Sequence, residues 1–360
     1  MTTTLTTLDE AEVLSERLFG AAVQSLELFA VHLGRRLGLY RVLADGRART
    51  AAELAADAGI AERYAREWLD QQAVAGLLDT DDGEPSTGRR YRLGAAHARV
   101  LTVADDPLHA APLASMLAGI GQALPDVVEA YRSGGGVPYA RYGEDFRDGQ
   151  GGVNRPAFTH DLVQDWLPAV PDVHSRLASG ARVADVGCGQ GWSTQAIARA
   201  YPASTVVGVD VDAGSVADAA ATLDDDLADR VSYVVADAAR LDALGVFDVV
   251  VMLETLHDIG RPVEALAAVR AALADGGTLV VADERVAPSF SAPGDEVERM
   301  MLGWSVVHCL PAAIATGDHD AIGTAIRPSV VVDLARQAGF GTVEVLPIDN
   351  PLFRFYRIQD

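Results

Sequence analysis

The stretch from Arg182 to Trp192, RVADVGCGQGW, places three glycines within five positions directly after a short apolar run. Glycine loses more conformational freedom on folding than any other residue, so such a cluster indicates a turn that side chains would obstruct. A short strand, a glycine turn and a helix starting near residue 193 are typical of a nucleotide-type site at the carboxyl end of a sheet. The stretch therefore predicts an α/β domain with a ligand against its glycine turn.

Beyond this stretch, short apolar runs alternate with segments of helical periodicity. Such alternation is typical of a parallel sheet covered by helices on both faces. Only a few residues around 349–351 separate the last two strands, too few for a crossover helix, so these strands are predicted to be antiparallel. The predicted strands cover 182–186, 204–210, 231–237, 247–253, 277–284, 342–348 and 353–358, and the predicted helices cover 193–201, 214–226, 262–274 and 330–338.

The N-terminal region has a different, mainly helical pattern. Apolar residues recur at helical spacing over 8–40, which predicts a helix pair or one long broken helix. A capping box at Thr50 opens a helix that ends near Gly59, and a second helix is predicted over 61–75. The segment 77–93 has an apolar run, a polar turn and another apolar run, as a hairpin does. Helix, turn, helix and hairpin in this order predict a winged helix-turn-helix.

Between these regions, the predicted helices are interrupted by RSGGGVPYARYG at 132–143 and by RDGQGGVNRP at 147–156. Glycine-rich loops that carry Tyr139 and Tyr142 are compatible with an active-site lid and equally with an ordinary connection. The sequence leaves both interpretations open. The predicted domains are 1–103 (winged-helix domain), 104–179 (helical linker and lid) and 180–360 (α/β catalytic domain).

Composition excludes several classes of function. The 360-residue chain has a formal net charge of -22 and no lysine, which disfavours nucleic acid as a partner and excludes Schiff-base and P-loop lysine mechanisms. Cys188 and Cys309 cannot form a disulfide framework, and the N-terminus lacks the features of a signal peptide. No apolar stretch reaches the roughly 18–20 residues of a membrane span. We therefore expect a cytoplasmic protein without a membrane partner.

The spacing of the glycines argues against a dinucleotide. Dinucleotide-binding turns follow G-x-G-x-x-G, in which the last glycine lets the helix pack closely on the strand. Here the spacing is G-x-G-x-G, and Trp192 occupies the position of that last glycine. A large indole side chain would obstruct the dinucleotide geometry, so a dehydrogenase is disfavoured.

The pattern Asp185-x-Gly187-x-Gly189-x-Gly191 instead resembles the signature of class I S-adenosylmethionine-dependent methyltransferases. The ends of the next three predicted strands agree with this resemblance. It implies S-adenosylmethionine as the cofactor and a Rossmann-like, mostly parallel sheet. The resemblance assigns Asp185 and the three glycines to the methionine and ribose portion, Asp210 with Val211 to the ribose hydroxyls, Asp237 with Ala238 to adenine, and the Leu253 carbonyl to the ammonium group.

Longer blocks extend the resemblance over nearly the whole chain. LGLYRVLADG, NRPAFTHDL, WLPAVPDV, GWSVVHCLP and IGTAIRP are similar to blocks of bacterial methyltransferases that carry an N-terminal winged-helix domain. That family implies a small-molecule acceptor, often of secondary metabolism, and a homodimer formed through the winged-helix region. It does not name the acceptor, because its members methylate oxygen, nitrogen and carbon.

A histidine follows the fourth predicted strand in MLETLHDIG. If the acceptor is a hydroxyl, a base must remove its proton, and histidine suits neutral pH. His257 with Asp258 resembles the His-Asp pair of small-molecule O-methyltransferases, and Glu284 at the end of the fifth strand is expected to orient His257 or to bind substrate. HDIG also matches a motif of metal phosphohydrolases, but that motif lies on a helix with further ligands, so no metal is expected.

Five further residues are candidates for binding the acceptor. Met300, Trp304 and His308 recur at i, i+4 and i+8, which indicates one helix face. Such a stripe is compatible with a pocket wall and with an ordinary core. Tyr142 and Asn154 from the lid region complete the set, whereas Asp-His-Asp at 318–320 is predicted to be a solvated loop.

A DNA-binding regulator that senses a small ligand is the alternative function from another class. The winged helix-turn-helix favours it, but the second helix of that motif offers Arg63 and Arg66 against Glu62, Glu67 and Asp70. A helix that enters a DNA groove is expected to present a basic stripe. The charge balance therefore favours the enzyme.

Overall fold

The computed structural model describes residues 9–81, 88–316 and 321–360. The turn of the predicted hairpin at 82–87 and the loop at 318–320 lie outside the described residues. The chain forms two units, of which the first comprises the chain up to Ala118 together with Asp148–Val153, and the second comprises Gly119–Arg147 and Asn154–Asp360. The domain boundaries at 103 and 179 stay a prediction. Among the described residues, no helix has the length and apolarity that a membrane span requires.

The first unit contains the helices and the hairpin strands that the sequence predicts. The helical region at 8–40 is broken at Gly38, whose φ is 69°. The capping box forms, since the Thr50 hydroxyl accepts from the backbone N–H of Glu53 at 3.3 Å and the Glu53 carboxylate accepts from that of Thr50 at 2.8 Å. Its elements are α1 (Glu10–Arg36), α2 (Leu39–Leu43), α3 (Ala51–Ala58), α4 (Glu62–Val74), the antiparallel strands β1 (Asp79–Thr80) and β2 (Tyr91–Arg92), and α5 (Ala95–Thr102).

The core of the first unit is aromatic and aliphatic. Trp68 and Tyr40 lie edge to face with ring centroids 5.1 Å apart, and the Trp68 indole N–H donates to the Ala30 carbonyl at 2.9 Å. Leu54 and Leu69 are fully buried beside them. The unit therefore has a hydrophobic core of its own.

One sequence prediction in the middle region is wrong. The polar run 147–156 was expected to interrupt the helices, but it lies inside α7 (Gly143–Thr159), which follows α6 (Pro112–Ser133). A Cβ on Gly149 would lie 2.6 Å from the backbone nitrogen of Met116, and one on Gly152 would lie 2.9 Å from Pro112. These glycines therefore allow α7 to approach the start of α6 closely, and they do not form a loop.

The sheet of the second unit has seven strands in the order β5-β4-β3-β6-β7-β9-β8. Five of them run parallel, and β9 pairs antiparallel with both β7 and β8, as the short final connection predicts. The strands are β3 (Arg182–Val186), β4 (Thr205–Asp210), β5 (Val231–Val235), β6 (Phe247–Leu253), β7 (Leu273–Glu284), β8 (Thr342–Val345) and β9 (Phe353–Gln359). The remaining helices are α8 (Pro171–Ser179), α9 (Trp192–Ala200), α10 (Ala213–Ala221), α11 (Pro262–Ala272), α12 (Glu296–Trp304), α13 (Leu310–Thr316) and α14 (Pro328–Gln337).

The sheet is buried on both faces, which explains its continuous apolar runs. In β6, Val249 and Val251 belong to the core on one face, and Val250 and Met252 belong to the core on the other. Successive side chains of a strand point to opposite faces, so a strand buried on both sides needs no polar alternation. The carboxyl ends of the parallel strands meet at one edge, where Asp185, Asp210, Leu253 and Glu284 lie.

Candidate active site

The glycine turn between β3 and α9 has the backbone conformation that its sequence requires. Gly187, Gly189 and Gly191 have φ values of 76°, 51° and 77°, a region that residues with a Cβ rarely adopt. A Cβ on Gly187 would lie 2.3 Å from the Thr255 side chain, and one on Gly191 would lie 2.3 Å from the Tyr233 hydroxyl. A Cβ on Gly189 would meet nothing within 4 Å. Two of the glycines therefore also serve packing within the protein, and Gly189 borders open space.

Asp210, at the end of β4, fixes this turn. Its carboxylate accepts hydrogen bonds from the backbone N–H groups of Gly189 at 2.9 Å and Asp212 at 2.8 Å. Burial raises the pKa of the Asp210 carboxyl, and the two amides oppose that rise because they favour the ionised form. Val211, the next residue, is exposed. The structure thus places a carboxylate against the glycine that borders open space.

Asp185, the penultimate residue of β3, is buried and hydrogen-bonded to the start of α9. The hydroxyls of Ser193 and Thr194 both donate to its carboxylate at 2.6 Å. Burial raises the pKa of Asp185 to about 6, although both hydroxyl groups oppose the rise. These contacts hold the strand, the turn and the helix together, and the contact with the methionine end of a cofactor stays a prediction.

Asp237 follows β5 and caps the short 3₁₀-helix Ala238–Leu244. One carboxylate oxygen accepts from the backbone N–H of Ala239 at 2.9 Å, and the other accepts from the Arg261 guanidinium at 3.1 Å. Both side chains are about half exposed. Arg261, which the sequence analysis did not single out, therefore orients the carboxylate that the resemblance assigns to adenine.

The chain leaves β6 through a strained residue. Glu254 has a φ of 53° and is the one non-glycine residue with a positive φ in the described ranges, and strain of this kind concentrates at functional sites. Its carboxylate accepts from the Asn154 side-chain amide at 2.8 Å. Burial raises the pKa of Glu254 to about 7, and the Asn154 hydrogen bond opposes the rise. Just before it, the Leu253 carbonyl accepts from the Thr255 hydroxyl at 3.0 Å.

His257 lies in the 3₁₀-helix Leu256–Asp258, next to the end of β7. Its Nδ1 lies 2.7 Å from a carboxylate oxygen of Asp283, which is fully buried and also accepts from the backbone N–H groups of His257 and Glu284. This contact fixes Nδ1 as the protonated nitrogen when the ring is neutral, so that Nε2 is the basic nitrogen. His257 therefore has the orientation that a general base needs.

Asp258 lies on the other side of the imidazole. Its Oδ1 lies 3.3 Å from His257 Nε2 and is a buried oxygen without a hydrogen-bond partner. Burial alone would lower the pKa of His257, but the carboxylates of Asp258 and Asp283 outweigh that effect and hold the pKa well above 6.5. The ring consequently has a strong affinity for a proton.

Glu284 is not the carboxylate that hydrogen-bonds to His257 and orients it, which is one of the two roles expected of it from the sequence. Asp283 makes that contact, because successive residues of a strand point to opposite faces and Asp283 shares its face with Val281 in the core beside Leu256. Glu284 is buried, and one of its carboxylate oxygens has no hydrogen-bond partner. Burial, reinforced by Glu254, raises the pKa of Glu284 well above its usual value. A substrate-binding role for Glu284 stays a prediction.

His308 lies in an aromatic cluster. Its ring stacks on Phe146 with centroids 4.1 Å apart and meets Tyr142 edge to face at 4.5 Å. The Tyr142 hydroxyl donates to the Val307 carbonyl at 3.0 Å, and the Tyr142 ring is fully buried. Burial lowers the pKa of His308 to about 4, and its Nε2 is buried without a partner. A neutral histidine of this kind can donate to or accept from a substrate.

The other two residues of the predicted stripe are placed differently. Met300 is exposed and Trp304 is partly buried, whereas His308 is fully buried. The helix changes from α12 into a π-helical segment at Ser305–Cys309, and the extra residue per turn shifts His308 away from regular i+4 spacing. The three residues therefore do not form one uniformly buried face.

Sequence reasoning missed Asp283, Glu254 and Phe146. The alternation of side chains along β7 could have identified Asp283. The buried residues Leu279 and Val281 lie on the same face of the strand and precede Asp283 at intervals of two. No local signal identifies Glu254 or Phe146. Their roles depend on a strained backbone and on a helix packed from elsewhere in the chain.

The comparison with known families and proteins agrees with this geometry. A model described as a methyltransferase domain matches residues 184–279, and one described as an Rv2258c-like winged HTH domain matches residues 25–103. The ubiquinone biosynthesis O-methyltransferase of Aromatoleum aromaticum is 28% identical over 200 residues, which cover 55% of this chain and 78% of that relative.

Solved structures resemble the chain over nearly its whole length. The mitomycin 7-O-methyltransferase MmcR superposes with a TM-score of 0.69 at 20% identity, covering 97% of this chain and 98% of its own. Human N-acetylserotonin methyltransferase in complex with SAM superposes with a TM-score of 0.71 at 17% identity, covering 99% of both chains. At these identities, the likeness shows a shared fold.

Proposed function

This chain is a class I S-adenosylmethionine-dependent methyltransferase with an N-terminal winged-helix domain, and we propose that it methylates a hydroxyl group of a small molecule of secondary metabolism. The observation that carries the proposal is the 2.7 Å contact between His257 Nδ1 and buried Asp283, which makes Nε2 the basic nitrogen. The names of the ubiquinone and mitomycin relatives both specify methylation of oxygen.

The residues around the glycine turn fit the cofactor. Gly189 leaves open space beside the Asp210 carboxylate. This carboxylate can accept hydrogen bonds from the ribose hydroxyls. The Arg155 guanidinium lies 4.1 Å from the centroid of the Trp192 ring, and the buried Trp192 indole N–H has no hydrogen-bond partner. A cation and an unpartnered donor next to the turn suit the cofactor's carboxylate. When bound there, S-adenosylmethionine supplies an electrophilic methyl group.

The chain's own contribution is to position the acceptor and to take its proton. Methyl transfer is an in-line displacement, so alignment of the acceptor oxygen supplies much of the acceleration. His257 Nε2 accepts the hydroxyl proton, and the carboxylates of Asp258 and Asp283 stabilise the resulting imidazolium. Tyr142, Asn154, Met300, Trp304 and His308 are proposed to contact the acceptor.

A methyl-transfer screen tests the proposal and its alternatives. We would incubate the protein with methyl-labelled S-adenosylmethionine and separate panels of phenols, alcohols, amines and carbon acids. Label on oxygen is the expected outcome. Label found only on nitrogen or carbon would replace O-methylation by the N- or C-methylation that the same fold supports.

The activity is expected to rise with pH. A base must be neutral to accept a proton, and the neighbouring carboxylates hold the pKa of His257 well above 6.5. The neutral fraction, and with it kcat/KM, therefore increases as the pH rises through that pKa. The pH profile of kcat/KM should show an ascending limb with its midpoint above 6.5. The groups that face His257 are Asp258, Asp283, Glu254, Glu284, His308 and Cys309.

Asp258→Asn provides the matched variant for this profile. The substitution keeps the shape of the side chain and removes a carboxylate that raises the pKa of His257. The midpoint should therefore move to lower pH. A midpoint that stays in place would show that the ascending limb belongs to another group.

The N-terminal helix α1 is proposed to form a homodimer interface with a second copy of the chain. Its exposed residues include apolar side chains that are 40–73% accessible in the single chain, and an apolar surface of this extent is typical of an interaction site. These residues are Val13, Leu14, Leu18, Phe19, Val23, Leu26, Phe29 and Leu33.

The double variant Leu18→Glu with Phe19→Glu should dissociate the dimer. The mass from light scattering after size exclusion is expected to change from twice 37.9 kDa to 37.9 kDa, since two charges from each chain would be buried at the interface. Val74→Glu on α4, at another exposed apolar residue, is the control and should remain dimeric. A wild-type protein of 37.9 kDa would contradict the proposal.

We do not propose a DNA-binding role for the winged helix. On α4, Arg63 is paired with Glu67 and Arg66 with Glu62, which leaves little positive charge for phosphates. A gel-shift assay at low salt should show no complex. Both cysteines are free and buried, which fits the cytoplasmic location that we propose.

A further inference from the structure

Three side chains of different chemistry converge next to the basic nitrogen of His257. A ring nitrogen of His257, a carboxylate oxygen of Asp258 and the Cys309 sulfur all lie within 4.8 Å of one another. His257 and Asp258 come from the 3₁₀-helix after β6, and Cys309 ends the π-helical segment after α12. The tertiary fold therefore brings Cys309 next to two potential metal ligands that precede it by about fifty residues in the sequence.

The donor set matches a thiophilic divalent cation. Imidazole nitrogen, thiolate sulfur and carboxylate oxygen are the ligands of zinc, and three protein ligands leave a fourth position open. The Oδ1 atom of Asp258 is buried, lies 3.3 Å from His257 Nε2 and has no hydrogen-bond partner, so a cation bound to both atoms would satisfy it. Besides its proximity to His257 and Asp258, the Cys309 sulfur lies 3.4 Å from Nδ1 of His308.

The surroundings of His257 have the features of a metal site's outer shell. A histidine that binds a metal usually donates its other ring N–H to a carboxylate, which fixes the ring. His257 does so toward Asp283 at 2.7 Å. His257 and Cys309 are buried, whereas Asp258 is 25% exposed and is the most accessible member of the cluster.

We propose that His257 Nε2, the Asp258 carboxylate and the Cys309 thiolate form a binding site for Zn²⁺ or a related thiophilic cation, which inhibits the enzyme. Binding releases the thiol proton as the metal–sulfur bond forms and, where His257 is protonated, the Nε2 proton as the metal–nitrogen bond forms, and no oxidation is involved. The inhibitory consequence rests on the proposed function, because the cation and the acceptor proton would compete for the same nitrogen. The binding itself does not depend on that function.

Cadmium provides a direct optical probe of the site. We would treat the full-length protein with a chelator, desalt it and titrate it with CdCl₂ while recording the ultraviolet cadmium–thiolate charge-transfer band. One equivalent per chain and a band that Cys309→Ser abolishes are expected. The matched control is Cys188→Ser, since Cys188 is the other buried cysteine and should not affect the band. An absent band, or a band that depends on Cys188, would overturn the proposal.

A second variant keeps the thiol and removes a different ligand. Asp258→Asn should weaken cadmium affinity by roughly tenfold or more, since even the loss of an outer-shell partner costs about 10–100-fold. Circular dichroism checks that each variant is folded. Unchanged affinity in a folded Asp258→Asn protein would contradict the assigned ligand set.

Turnover measurements separate this site from the proposed base. Zinc should inhibit methyl transfer reversibly, with activity restored by chelator, and Cys309→Ser should need at least about tenfold more zinc relative to its own uninhibited rate. Cadmium binding that His257→Ala also weakens, without any loss of turnover in the wild-type protein, would uphold the site and remove His257 from the chemistry. Inhibition that persists undiminished in Cys309→Ser would overturn the inhibitory role of the site.

Discussion

His257→Ala is expected to lower kcat by about 10²–10⁴-fold, the usual contribution of a positioned general base, while cofactor binding is retained. Within the described ranges, the ion pairs of the imidazole join it to Asp283 and Asp258 and not to the glycine turn. Its removal should therefore affect proton transfer and leave the cofactor site intact. Steady-state kinetics on an acceptor found by the methyl-transfer screen, together with calorimetric titration of S-adenosylhomocysteine, measure the two effects separately.

Two controls distinguish a base from a packing residue. Added imidazole should partly restore turnover to His257→Ala, because a small base can occupy the space that the side chain leaves. Asp283→Asn should also lower kcat, since an amide at Nδ1 no longer fixes the tautomer that keeps Nε2 basic. A fully active His257→Ala protein would exclude His257 as the base and favour a mechanism based on positioning alone.

Asp210→Ala should weaken S-adenosylhomocysteine binding by about 10²-fold or more. Hydrogen bonds to a charged group contribute about 1.5–3 kcal/mol each, and the carboxylate is expected to accept from two ribose hydroxyls. It also holds the backbone N–H of Gly189 at 2.9 Å, so the substitution releases the glycine turn as well. Isothermal titration calorimetry gives the dissociation constant directly.

Asp212→Ala is the matched control, because it removes the same charge two residues away. Asp212 caps α10 by accepting from the backbone N–H of Ser215 at 2.7 Å, and the loss of such a cap costs about 1 kcal/mol of stability. The melting temperature should therefore fall, with little change in cofactor affinity. Equal losses of affinity in both variants would show that Asp210 acts through charge or folding and not through the ribose.

The resemblance and the strand pattern predicted the α/β unit closely, because its signals are local. A strand buried on both faces must be apolar along its length, and β6 contributes apolar residues to the cores on both faces of the sheet. A turn with positive φ at three positions favours glycine, which explains the spacing of Gly187, Gly189 and Gly191. The reversed final strand followed from the shortness of its connection.

The prediction of a loop at 147–156 is wrong because the conformation of this segment depends on residues far away in the sequence. Glycine occurs both in flexible loops and in helices that pack closely against another helix, so a glycine-rich sequence does not distinguish between the two. Only the neighbours of Gly149 and Gly152, at Met116 and Pro112, distinguish the two cases. The π-helical segment at Ser305–Cys309 likewise shifted a stripe that regular periodicity had predicted.

The sequence by itself determined the class of fold and the strand ends at which we propose the chemistry to occur, because hydrophobic periodicity and glycine geometry act within a few residues. The tertiary structure decided which carboxylate holds His257 and which thiol lies beside it. Asp283 and Cys309 reach His257 through strand pairing and helix packing over long sequence separations. Contacts of that kind depend on the direction of side chains in the folded chain, which residue identity alone does not specify.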